Sequence, residues 1–120
     1  MKDPGIAPAP VLEVKIDKGN KLINTAEVIY FGGNGKHVVM HFKDGNELDT
    51  HQLVKWYEEQ LPEPMFCRCH DSFIVNCSYI ECICSNKFIL KGDIYIKISQ
   101  KYRDHALSMY ELYVRLGNGN

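Results

Sequence analysis

The stretch of residues 66–76, Phe-Cys-Arg-Cys-His-Asp-Ser-Phe-Ile-Val-Asn, constrains the fold of this chain more than any other segment. Side chains alternate between the two faces of a strand, so its first half would divide into two sets. The sets are Phe66, Arg68 and His70 on one face and Cys67, Cys69 and Asp71 on the other. The second half is an apolar run that ends at Asn76, a residue type that tolerates turn geometry. The stretch therefore predicts a strand, a polar bend and a second, buried segment.

Several other segments alternate between apolar and polar residues, which predicts half-buried strands joined by turns. They cover residues 11–16, 22–31 with an interruption at 24–25, 38–43, 46–48, 79–84, 87–90 and 94–99. The glycine-rich loop at residues 32–36 predicts a hairpin connection, and so does Asp44-Gly45.

Two segments show helical spacing instead. Asp49 and Gln52 resemble a capping box, and the helix that they would begin ends before Pro62 and Pro64. A second helix is predicted over residues 104–116, followed by a frayed end. These patterns predict a mainly β chain with about eight short strands, one internal helix and a C-terminal helix.

The composition is that of an ordinary globular domain. The 120 residues are 45% hydrophobic and 24% charged, with a formal net charge of −1. This charge argues against nucleic-acid binding, since basic domains are its usual signature, although a local positive patch would suffice. No apolar run is long enough to span a bilayer, and residues 1–10 lack the apolar centre of a signal peptide. The expected compartment is therefore the cytoplasm, without membrane contact.

Five cysteines leave three interpretations open: small buried hydrophobic residues, metal ligands or redox-active thiols. They are Cys67, Cys69, Cys77, Cys82 and Cys84. Residues two apart on a strand lie roughly 6.5 Å apart, whereas two sulfurs on one zinc lie about 3.8 Å apart. The buried interpretation is therefore favoured, and neither a metal nor another cofactor is expected.

The stretch at 66–76 also resembles the signature of the LytTR DNA-binding domain, Phe-x-Arg-x-His-x-Ser-aromatic-(Ile or Leu)-Val-Asn. The matching residues are Phe66, Arg68, His70, Ser72, Phe73, Ile74, Val75 and Asn76. The resemblance implies an elongated stack of small antiparallel sheets that uses no recognition helix. It also implies a DNA-binding domain at 11–105, followed by a C-terminal helix and tail at 106–120. Residues 1–10 hold three of the five prolines, which predicts a flexible leader or linker end.

The resemblance further implies three DNA-contacting regions that together form a positive ridge. Region one comprises Asn34, Lys36 and His37, region two is Asp71, and region three comprises Ser99, Gln100, Lys101 and Arg103. Histidine and glutamine can bond to base edges, while lysine and arginine bind phosphates. His70 and Asn76 are expected to hold the bend by hydrogen bonds. Asp71 stands where family members usually carry Arg, Lys or Asn, and Gln100 stands where an Arg is common.

The resemblance thus implies a sequence-specific DNA-binding module, the output domain of a bacterial two-component response regulator. Its expected partner is double-stranded DNA with promoter direct repeats, bound through major grooves, with a homodimer on DNA as a further expectation. The near-neutral charge and the apolar C-terminal helix favour an alternative, a protein-interaction module on the same fold. An enzyme is not expected, because Cys69 and His70, as strand neighbours, face opposite sides.

Overall fold

Residues 5–118, which the computed structural model describes, form ten strands and two α-helices. The strands are β1 (Val11–Ile16), β2 (Gly19–Asn24), β3 (Val28–Gly33), β4 (Val38–Phe42), β5 (Glu47–Thr50), β6 (Phe66–His70), β7 (Phe73–Asn76), β8 (Ile80–Cys84), β9 (Lys87–Leu90) and β10 (Ile94–Lys97). The helices are α1 (Val54–Gln60) and α2 (Arg103–Asn118), and short 3-10 helices cover Thr25–Glu27, Cys77–Tyr79 and Gln100–Tyr102. Residues 1–4 of the predicted leader and 119–120 of the predicted tail lie outside the described part.

The strands form three antiparallel sheets, which confirms the predicted fold class. β1 pairs with β2, the central sheet has the order β5-β4-β3-β7-β6, and the third sheet has the order β10-β9-β8. Most neighbouring strands are consecutive in the chain, because short turns such as the glycine-rich loop join them as hairpins. No helix within residues 5–118 is long and apolar enough to cross a bilayer.

The central sheet separates two hydrophobic cores, because its side chains alternate between the faces. Phe66 and Ile74 lie in the first core, which β1, β2 and α1 cover. Cys67, Cys69 and Val75 lie in the second core, which the third sheet and α2 cover. As the alternation predicts, β6 contributes Phe66 to the first core and Cys67 and Cys69 to the second.

The capping box predicted at Asp49 and Gln52 is wrong. Asp49 lies in β5, where it pairs with Val39 of β4, and α1 begins only at Val54. Gln52 instead accepts a hydrogen bond from Lys15 N through its side-chain oxygen, at 3.2 Å. Cross-strand pairing therefore overrides the local helix-start signal.

Other boundaries also shift. β2 begins at Gly19 rather than after a longer turn, and the predicted strand over residues 22–31 is divided by a 3-10 helix. The Asn24 side chain begins that helix by accepting a hydrogen bond from Ala26 N at 3.1 Å. The frayed end expected from residue 117 is wrong for residues 117–118, because α2 continues to Asn118.

The cysteines divide into two groups. Cys67, Cys69 and Cys77 are buried, and the Cys67 and Cys77 sulfurs lie 3.7 Å apart. Burial raises the pKa of the Cys69 thiol well above its ordinary value, which disfavours the thiolate. Cys82 and Cys84 are exposed on β8, so their interpretation as buried hydrophobic residues is wrong. Within residues 5–118, no cluster of three or more His, Cys, Asp or Glu side chains could hold a metal ion.

The buried Tyr57 hydroxyl leads us to expect a loss of stability at high pH. Tyr57 is fully buried in the first core, with its hydroxyl 2.6 Å from Thr50 Oγ1. Burial raises the pKa of Tyr57 from 10.0 to about 12, since a buried phenolate loses its hydration. The unfolded chain therefore releases this proton at a lower pH than the folded one. The stability contribution is complete below pH 10 and is lost as the pH rises towards about 12, by about 2–3 kcal/mol.

Urea denaturation at a series of alkaline pH values measures this effect, with Tyr57→Phe as the control. The variant lacks the titrating group, so its free energy of unfolding should fall less steeply with pH than that of the wild type. Parallel pH profiles for the two proteins would contradict the raised pKa.

Candidate nucleic-acid interface

Region one forms the tip of the hairpin between β3 and β4. Asn34 N donates a hydrogen bond to His37 O at 3.0 Å, which closes the tip. At its base, Gly33 N donates to Ser72 O at 2.7 Å. Because this hydrogen bond joins the end of β3 to the residue after Asp71, region one lies directly beside the bend that carries Asp71.

Region two meets region three at the Asp71 carboxylate. Asp71 Oδ1 accepts a hydrogen bond from Tyr102 Oη at 3.1 Å and lies 3.4 Å from Lys101 Nζ. The Tyr102 hydrogen bond, followed by Lys101, lowers the pKa of Asp71, so the carboxylate is ionised at neutral pH. The three regions therefore form one continuous surface, but its middle is an ion pair, so the surface is not uniformly positive.

Arg68 of the signature holds the bend through its guanidinium fork. Its Nη2 donates to Asp71 O at 2.7 Å, its Nε to His70 O at 3.3 Å, and its Nη1 to Glu58 Oε1 at 2.9 Å. The guanidinium also lies 5.1 Å from the ring centroid of Tyr102. A planar, five-donor group is required for this set of contacts. Arg68 therefore fixes regions two and three to each other and to α1.

His70 and Asn76 bond to the backbone around the two signature strands. His70 Nδ1 accepts from Ser72 N at 3.0 Å, within the bend. Asn76 is 1% exposed, donates to Val28 O at 3.0 Å and accepts from Ser78 N at 3.0 Å. The Asn76 amide thus joins β3 to the 3-10 helix that follows β7. It gives Val28 O and Ser78 N a hydrogen-bond partner, as polar groups in a core require.

The histidine of region one contacts a carboxylate and a second histidine. His37 Nδ1 lies 3.0 Å from Asp49 Oδ1, and the rings of His37 and His51 are 4.4 Å apart. His51 Nε2 in turn lies 2.7 Å from Asp17 Oδ1. Lys36, in contrast, is exposed at the hairpin tip. Region one therefore presents one exposed cation at its tip and a partly exposed histidine that contacts a carboxylate.

Region three borders a cavity of about 520 Å³. The cavity is lined by Asn86, Lys97, Ile98, Gln100 and Arg103. Two cations and two amides without a carboxylate suit an anion such as a backbone phosphate. Arg103 already donates a hydrogen bond to Asn86 Oδ1, which holds the guanidinium at the rim.

Ser99 lies at the inner side of region three. Its backbone N–H donates to Cys69 O at 2.9 Å, which ties the end of β10 to β6. The Ser99 hydroxyl is buried and has no hydrogen-bond partner among the described residues. Its position supports the turn that carries Gln100 and Lys101, whose side chains are exposed.

Three residues of this surface were missed from the sequence. Tyr102 contacts both Asp71 and Arg68. Its position next to Lys101, a predicted contact residue, was the one sequence feature that pointed to it. Lys97 and Asn86 line the cavity of region three. Lys97 could have been found from the alternation of β10, which exposes it between two buried isoleucines. Asn86 stands in the turn before β9, far from region three in sequence, so only the fold reveals it.

Three antiparallel sheets, with the three regions at strand ends and turns, define a mainly β domain. The family model of the LytTr DNA-binding domain matches residues 18–110, and the chain belongs to this family. The match confirms the resemblance drawn from the signature at residues 66–76. It is a family of DNA-binding domains rather than of enzymes.

Among solved structures, a LytTr DNA-binding domain of a response regulator from Bacillus cereus is similar to this chain. The two share 25% sequence identity and superpose with a TM-score of 0.68. The similarity covers 82% of this chain and 94% of that chain. No curated protein sequence matches the chain.

Proposed function

We propose that this domain binds specific sequences in double-stranded DNA as the output module of a bacterial transcriptional regulator of the two-component type. The supporting observation is the continuity of the three regions, from the Gly33–Ser72 hydrogen bond to the Asp71–Lys101 contact. Membership of a DNA-binding family supports the choice of ligand. The similar Bacillus cereus domain is described as part of a response regulator, which supports the role.

In the proposed complex, the cations of region three bind phosphates and the hairpin tip of region one enters a major groove. Lys97, Lys101 and Arg103 supply the charge, while His37 and Gln100 face base edges. Asp71 lies between them, and its carboxylate repels the phosphates that these cations bind. Two such domains on adjacent direct repeats would place their region-one tips in successive grooves.

The test is binding to a duplex selected from a random library, measured by fluorescence anisotropy over a series of salt concentrations. The logarithm of the binding constant should fall linearly with the logarithm of salt concentration. Lys36→Ala and Lys101→Ala should each reduce that slope by about 1. Lys18→Ala is the matched control, since Lys18 is also exposed but lies in the turn between β1 and β2. Binding that is absent or independent of salt, in a folded domain, would contradict the proposal.

Asp71→Asn is expected to strengthen DNA binding. The amide keeps the size of the side chain and its contact with Tyr102, but it removes a negative charge from a surface that faces phosphates. Lys101 loses its ion pair and becomes available to DNA. We expect a steeper salt dependence and an affinity about threefold to tenfold higher at low salt.

Asp93→Asn provides the control for Asp71→Asn, because it changes the net charge equally. Asp93 lies in the turn between β9 and β10, and its φ of 60° is tolerated by asparagine. A loss of affinity in Asp71→Asn alone would contradict the repulsion and would indicate that the carboxylate reads a base.

A protein-interaction module is the second candidate function. The ion pair of Asp71 with Lys101 and the contact of His37 with Asp49 reduce the charge available to DNA. Light scattering with and without selected DNA distinguishes this function from DNA binding. A mass increase with a protein partner but not with DNA would support this second candidate.

A further inference from the structure

The third sheet ends in an open strand edge. β8 pairs with β9 on one side and with no other strand of residues 5–118 on its other side. Residues 81–84 of β8 are exposed, and Ile83 is 40% exposed although it is a large apolar side chain. Open edges of this kind can pair with a strand of another chain. We propose that the β8 edge binds the β8 edge of a second copy of this protein, in an antiparallel pairing centred on Ile83.

The backbone groups of Ile83 point towards this open edge. Ile98 N donates to Asn86 O at 2.7 Å, so Asn86 and, two residues on, Phe88 direct their backbone groups towards β10. Ile83 lies opposite Phe88 in the ladder between β8 and β9. The pair Ile83–Phe88 is therefore not hydrogen-bonded, which leaves the Ile83 N–H and C=O free on the outer side.

The sequence around Ile83 is complementary to itself in this pairing. A two-fold axis at Ile83 places the two Ile83 residues in one hydrogen-bonded pair and covers both apolar side chains. A bulge between Ile80 and Cys82 and the turn at Ser85, whose φ is 57°, confine the pairing to residues 82–84. None of these three residues is charged, so no like charges face each other. A second copy fits this edge because the pairing sets isoleucine against isoleucine and cysteine against cysteine across residues 82–84.

The same register brings exposed thiols together. Cys82 lies opposite Cys84 of the second copy, and Cys84 lies opposite Cys82, on the outer face of the joined sheet. Because both cysteines pair with β9, they form non-hydrogen-bonded pairs across the new interface, where Cα atoms lie about 4.5 Å apart. A disulfide spans Cα distances of about 4.4–6.8 Å, so an oxidant can trap this dimer.

The trapping reagent is diamide, an azo compound that takes two hydrogens from two thiols. One S–S bond forms, two S–H bonds break, and diamide is reduced to the hydrazine. The full chain without DNA is treated and then separated by non-reducing electrophoresis. We expect wild-type protein to form a covalent dimer that a thiol reductant reverses.

Two cysteine variants test the register. In Cys82→Ser alone or Cys84→Ser alone, each remaining thiol faces a serine, so neither variant should form the dimer. Mixed together, the two variants should form it again, because Cys84 of one meets Cys82 of the other. An absence of wild-type dimer, or equal dimer in either variant alone and in the mixture, would overturn the proposal.

A proline tests the hydrogen bonds. Ile83→Pro removes the outward N–H without breaking the β8–β9 ladder, so the dimer should be lost while the melting temperature is retained. Tyr95→Pro is the matched control, because Tyr95 lies on the opposite edge strand of the same sheet and also directs its N–H outwards. Dimer formation that survives Ile83→Pro, or that falls equally in both variants, would count against the pairing.

Discussion

Asn76→Ala is expected to lower the free energy of unfolding by about 2–4 kcal/mol. The substitution removes the partner of the buried Val28 O and of the partly buried Ser78 N, and Asn76 itself is 1% exposed. Each buried group left without a hydrogen bond costs about 1–3 kcal/mol. The last residue of the LytTR-type signature, Asn76, would thus be needed for folding rather than for contact with DNA.

Asn24→Ala is the matched control for this loss. Asn24 also precedes a 3-10 helix and also accepts a backbone hydrogen bond two residues ahead, from Ala26 N. It is exposed, however, so its removal should cost only about 0.5–1 kcal/mol. Urea denaturation of both variants measures the difference, and equal losses would contradict the role given to burial at Asn76.

Arg68→Ala is expected to lower the free energy of unfolding by about 1.5–3 kcal/mol and the affinity for selected DNA by about tenfold. The substitution removes hydrogen bonds to the Asp71 backbone and to Glu58, and the contact with the Tyr102 ring. The bend would then no longer be held against region three. Affinity falls because DNA binding must then also fix the bend against region three, which costs free energy.

Arg68→Lys separates geometry from charge in this prediction. Lysine keeps the positive charge but cannot form the fork that reaches three acceptors. We therefore expect most of the affinity loss to remain in Arg68→Lys. Wild-type affinity in this variant, measured by anisotropy in the same salt, would show that Arg68 contributes only its charge.

Much of the fold could be predicted because the strands carry a strong local pattern. Most strands were identified from the alternation of apolar and polar residues, as in β1, β4 and β10, and from the turn residues between them. The failed helix start at Asp49 has its cause in the pairing of β4 with β5. Asp49 reads locally as a helix start, yet its pairing with Val39 places it in β5.

The contact surface was less predictable than the fold. The signature located the bend, but the contacts that define the surface join residues about thirty positions apart, such as Asp71 and Tyr102. The exposure of Cys82 and Cys84 was also hidden, because it depends on β8 being an edge strand. Sequence pattern describes which face a side chain takes, but not whether another element covers that face.

The most direct test of the central claim is a map of backbone amide shifts by NMR as selected duplex DNA is added to the full chain. Because the three regions form one surface, amides at residues 33–37, 71–72 and 99–103 should shift together, with one shared binding constant. Shifts confined to another surface, such as the β1–β2 hairpin, or to one region alone, would contradict a single contact surface.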